Sequence, residues 1–162
     1  MGKKAFYPVA ALALLSGAAD AASPATTQFQ VTMTIQDQCV INSAPTLDFG
    51  TSGVLTAAVT QSSTIQIQCT NTTPYTIALD AGTGSGATVG TRKMTNGSAT
   101  INYSLYTDSN YNTVWGNTPG TDAVGATGNG ANQSYVIYGQ VPAQTTPKAN
   151  AYSDTITITV AY

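Results

Sequence analysis

A strict two-residue alternation near the front of the chain constrains the fold more than any other feature. Between Gln28 and Gln36, the apolar residues Phe29, Val31, Met33 and Ile35 alternate with Gln30, Thr32 and Thr34. Period two is the mark of a β-strand with one apolar and one wet face. Cys39-Val40-Ile41 follows after Gln36-Asp37-Gln38, with no Gly, Pro or Asn to make a tight turn. Residues 28–41 therefore read as one extended run. At ~3.3 Å per residue, about 14 residues reach ~46 Å. A compact domain of about 140 residues should be only ~37 Å across. The front half of the run is expected to leave its own domain and bury Phe29, Val31, Met33 and Ile35 in another copy.

The same alternation recurs downstream. Ile65, Ile67 and Cys69 share one face of a strand within 61–70, and Tyr75, Ile77 and Leu79 one face of the next. With Asn71–Pro74 as the turn between them, the pair reads as a hairpin. Residues 46–50 read as a short strand, and Asn96-Gly97 as a hairpin turn between 92–95 and 100–107. Residues 135–141 are apolar on both faces and read as a central strand. The stretch 116–133 has no periodic apolar face and reads as an exposed loop. The final strand, 154–162, turns Ile156, Ile158, Val160 and Tyr162 to one side. No helical pattern of useful length appears after residue 21. Short, regularly spaced strands with Gly/Pro turns predict an all-β sandwich. A strand running to the last residue has no later strand of its own chain beside it. An open edge next to an apolar core invites β-augmentation. Ile156, Ile158, Val160 and Tyr162 are then the candidate border of an acceptor groove, and Phe29, Val31, Met33 and Ile35 the candidate donor.

The first 21 residues carry a different message. Lys3 and Lys4 precede an apolar run, 9–15, and an Ala19-Asp20-Ala21 cleavage site, which reads as a secretory signal peptide. Residues 22–37 form the N-terminal donor-strand extension and 38–162 the sandwich domain. Cys39 and Cys69 are the two cysteines of the chain, and an even pair in an exported protein predicts a disulfide.

Composition excludes several functions. Charged residues make up 7 % of the chain, against roughly a quarter in ordinary soluble domains. Removing residues 1–21 takes away Lys3, Lys4 and Asp20, leaving three basic and six acidic residues. No basic patch exists to neutralise phosphates, so nucleic acid is not an expected partner. There is no His and no Glu, so the usual general bases and metal ligands are missing and no enzyme is expected. Asp48, Asp80, Asp108 and Asp154 fall near turns or strand ends, where Asp bonds local backbone. Gly82-Thr83-Gly84-Ser85-Gly86-Ala87 matches a dinucleotide fingerprint in letters only. No helix follows it to receive a pyrophosphate, so no small-molecule cofactor is expected. Trp115, Tyr106 and Tyr111 lie near loops and offer the alternative of an aromatic platform, as in a secreted adhesin or carbohydrate-binding module.

Taken together, several segments resemble the spore coat protein U domain family, which includes subunits of archaic (Csu-type) chaperone–usher pili. They are the alternating strand running into Cys39, Leu47-Asp48-Phe49-Gly50, the stretch from Ile67 to Gly82, and Arg92-Lys93-Met94. Ile101 to Asp108, Ile137-Tyr138-Gly139, Val141 to Gln144 and Tyr152 to Tyr162 complete the set. The resemblance covers essentially the whole chain after the signal. It implies an incomplete immunoglobulin-like β-sandwich lacking its last strand. A periplasmic chaperone would lend a strand, and at an outer-membrane usher the N-terminal segment of the next copy would replace it. It also implies passage through the periplasm to a cell-surface fibre serving adhesion or biofilm formation, with a spore-coat role as the alternative. A single domain favours the shaft over a two-domain tip.

Overall fold

The computed structural model describes residues 23–162; the expected signal peptide, 1–21, lies outside them. Two units divide between Thr34 and Ile35. The first described residues, 23–34, carry no strand. The second unit is all-β, with no helix among the described residues.

Its eight strands are β1 (Cys39–Ser43), β2 (Val59–Cys69), β3 (Pro74–Leu79), β4 (Arg92–Asn96), β5 (Ala99–Tyr106), β6 (Val124–Thr127), β7 (Asn132–Val141) and β8 (Ile158–Ala161). They form an antiparallel five-stranded sheet, β1-β2-β7-β5-β4, and a three-stranded sheet, β6-β3-β8. The inward residues of β2 (Ile65, Ile67, Cys69) meet those of β3 (Tyr75, Ile77, Leu79), with Tyr103, Leu105, Ile137 and Val141 completing the core. Two sheets facing one another across interdigitated side chains make an immunoglobulin-like sandwich. β7 is central, paired with β2 on one side and β5 on the other; Ile137 and Val141 face the core, while Val136 and Tyr138 on its other face stay partly exposed. Cys39 and Cys69 are register partners in the β1–β2 ladder and form the expected disulfide.

Several expectations need correction. β2 and β3 are not a hairpin; they lie in different sheets. Each has one apolar face, and both faces are buried only when the strands oppose each other across the core. The crossing uses Thr72 at φ 67° and Thr73, whose buried hydroxyl donates to Asp37 Oδ1 at 2.7 Å. The 116–133 stretch is not wholly loop. It contains β6, whose two half-buried residues Val124 and Ala126 are too few to show a period. Of the run 28–41, only Cys39 onward is a paired strand, and 46–50 is not in a strand. The closing strand pairs only over Ile158–Ala161, not from residue 154. Trp115 is not on a surface platform: it is 1 % exposed, and its Nε1 donates to the Ile77 carbonyl at 2.9 Å.

Candidate functional site

An apolar groove of about 1150 Å³ opens along the edge of the sandwich. Its floor is the core itself: Ile65, Leu79, Met94, Ile101, Tyr103, Leu105, Ile137 and Val141. One wall is the stretch from Ala44 to Leu55, the other the stretch from Thr146 to Ile158. Among the described residues β8 pairs with β3 alone, so the backbone groups on its other edge have no ladder. An unpaired strand edge beside an apolar trough is a template for one more strand.

Each wall is held by specific bonds. Ser63 Oγ donates to the Pro45 carbonyl at 2.8 Å, and Leu55 N donates to Thr146 Oγ1 at 2.8 Å. Leu47 and Phe49 lie flat on the central strand because residue 139 is glycine. A Cβ there would stand 2.9 Å from Leu47 Cδ2 and Phe49 Cζ. Phe49 also meets the Tyr103 ring edge-on, centroids 6.2 Å apart. On the opposite wall, Thr95 and Ser153 exchange backbone hydrogen bonds. Asp154 Oδ1 accepts from Thr83 N (2.8 Å) and Thr83 Oγ1 (2.9 Å), while its Oδ2 accepts from the Tyr103 hydroxyl (2.8 Å). Asp80 Oδ1 accepts from Gly82 N (3.0 Å) and Thr157 N (2.9 Å), and Asp80 N donates back to the Thr157 carbonyl. Two carboxylates thus pin the start of the closing segment to the Gly-rich loop after β3. Both reach across more than 70 residues of sequence, so Asp80 and Asp154 do more than the local bonding expected of them. Asp48 and Asp108 do bond nearby backbone.

Arg92 stands behind this wall. It is fully buried, and its guanidinium donates to the carbonyls of Asp80, Val89, Leu79 and Trp115 at 2.8–3.1 Å. Burial lowers its pKa, while Tyr103 and Asp80 push back. Burial alone would raise the Asp80 carboxyl. Hydrogen bonds from Thr157 and Gly82, with the Arg92 charge, outweigh it and hold Asp80 below the ordinary carboxylate value. Burial, then the bond to Asp154, pushes the Tyr103 phenol well above its usual value. Arg92 was legible only as a rare charge beside a Gly-rich loop; nothing local marks it as buried.

Of the candidate acceptor residues, Ile156 and Ile158 line the groove. Val160 faces Ile77 in the β3–β8 ladder, and Tyr162 is 60 % exposed. Of the candidate donor residues, Phe29, Val31 and Met33 are 86, 85 and 86 % exposed and Ile35 66 %. The chain just after them is anchored. Thr70 Oγ1 donates to the Gln36 carbonyl and Thr70 N to the Gln38 carbonyl, one residue before the disulfide.

An immunoglobulin-like sandwich whose core opens into a groove, with a closing strand that has one edge unpaired, is the class of protein these features define. Within it the family is shown by sequence: the Spore Coat Protein U domain matches residues 25–159, and the chain belongs to that family. No curated protein matches it. Among solved structures it is similar to a chain of the CsuC–CsuE chaperone–tip adhesion subunit pre-assembly complex from archaic chaperone–usher Csu pili of Acinetobacter baumannii. Sequence identity is 26 % and the TM-score 0.58; the match covers 80 % of this chain and 40 % of that one.

Proposed function

We propose that this chain is a structural subunit of a chaperone–usher surface pilus that polymerises by donor-strand complementation, with Phe29, Val31, Met33 and Ile35 of one copy filling the groove of the next. The observation that carries the reading is the pairing of an open apolar groove with an exposed, alternating apolar segment on the same chain. The family and the pre-assembly complex of the Csu structure support it. A periplasmic chaperone keeps the groove covered before assembly, an outer-membrane usher catalyses the exchange, and the fibre serves adhesion or biofilm formation at the cell surface.

The energetics are compatible with a durable joint. Four apolar side chains leaving water are worth roughly 6–12 kcal/mol at ~1.5–3 kcal/mol each. Each ladder hydrogen bond adds about 1 kcal/mol, and association and ordering offset several of these. Phe29→Asp and Ile35→Asp are the test. Each should leave a folded, disulfide-linked body and abolish long filaments in electron micrographs. Filaments of normal length from both variants would refute the reading.

A further inference from the structure

The geometry points to a second binding surface, on the solvent face of the five-stranded sheet, for a neutral polysaccharide. In the ladders Ser62 of β2 stands opposite Tyr138 of β7, Tyr138 opposite Tyr106 of β5, and Tyr106 opposite Val114. Their neighbours Ile137 and Leu105 are buried in the core. Alternation therefore turns Tyr138 and Tyr106 outward, away from the groove, and both remain partly exposed. At ~4.8 Å per strand the row Tyr138–Tyr106–Val114 spans ~10 Å, a length suited to a short run of linked sugar rings. Tyr111 extends it, packing edge-on against Tyr106 with centroids 5.6 Å apart.

Tyr111 is placed there at a cost. Its φ is 58°, a conformation unfavourable for a bulky side chain and of the kind found where function dictates backbone. The Asp108 carboxylate holds the loop, accepting from the N–H groups of Asn110, Asn112 and Thr113.

The charge pattern selects the ligand. The row carries no charged side chain, nor do its flanking pairs Thr60–Gln140 and Thr64–Val136. A polyanion would find no counter-charge, and the nearby Asp108 carboxylate is already engaged by the loop N–H groups. The apolar faces of sugar rings, by contrast, suit tyrosine rings with polar tips, and Ser62 and Gln140 supply neutral hydrogen-bonding groups for ring hydroxyls. Because this face is separate from the groove, binding is independent of filament joining.

The test is affinity electrophoresis of the full chain through gels holding dextran, mannan or galactan, with alginate and chitosan as the anionic and cationic comparisons. At least one neutral polymer should retard the protein, and retardation should persist from ~0.05 to ~0.5 M salt. Tyr111→Ala and Tyr138→Ser should each weaken it about tenfold, the loss of one aromatic anchor, with far-UV circular dichroism unchanged. Ser62→Arg, at an exposed position, should block the row without touching the core, and Tyr152→Ala should bind like the parent. Retardation by none of the neutral polymers, retardation by the charged ones alone, or parent-like binding by folded Ser62→Arg would overturn the proposal.

Discussion

The pin between Asp154 and Tyr103 joins the groove wall to the floor, and a double-mutant cycle on it should expose a defined coupling. Asp154→Ala removes the acceptor of a hydroxyl on a residue only 5 % exposed. An orphaned buried hydroxyl costs about 1–3 kcal/mol. The bonds from Thr83 and Thr155 are at exposed sites, where water replaces the carboxylate at small cost. The expected destabilisation is about 2–3 kcal/mol. Tyr103→Phe removes the hydroxyl itself and leaves Asp154 with its Thr83 and Thr155 partners, so about 0.5–1.5 kcal/mol is lost. In the double variant no hydroxyl is stranded, and its loss should fall short of the summed single losses by about 1–2 kcal/mol. Urea unfolding measures all three. Thermal melting should place Asp154→Ala roughly 8–12 °C below the parent, from the scaling for a domain of this size. Single losses that add to within ~0.5 kcal/mol would refute the coupling, since independent sites behave that way.

Other outcomes follow from the same contacts. Reducing the Cys39–Cys69 bond opens a loop of 30 residues and should lower stability by about 3.6 kcal/mol in the chain-entropy account, seen as an earlier urea midpoint under reductant. Acid should act late and alkali later. Asp80 and Asp108 are both held below the ordinary carboxylate value, Asp108 chiefly by the Thr113 N–H. The stability they contribute is present above about pH 4 and fades as pH falls through their depressed folded values. Tyr75 and Tyr103 are raised, chiefly by burial. Their contribution is complete below about pH 10 and is lost as pH rises toward their folded values. With no His or Glu in the chain, melting temperature should be flat between about pH 5 and 9; a midpoint transition near pH 6–7 would contradict this.

Much of the fold was legible because one-sided burial imposes a local rhythm. In β2, β3, β5 and β7 the buried residues recur at every second position, and the even cysteine pair was legible as a disulfide. The apolar alternation of 29–35 and of 156–162, the all-β class and the family were likewise carried by residues in a row. What tertiary structure alone decided are relations between distant segments. They include the assignment of β2 and β3 to opposite sheets, the recruitment of the short β6, the burial of Trp115 and Arg92, and the carboxylates that bridge to the closing wall. The physical reason is that periodicity reports how a strand is buried but not which strand buries it. Partners across 70 residues are chosen by which edges and faces remain open once the rest of the sandwich has formed.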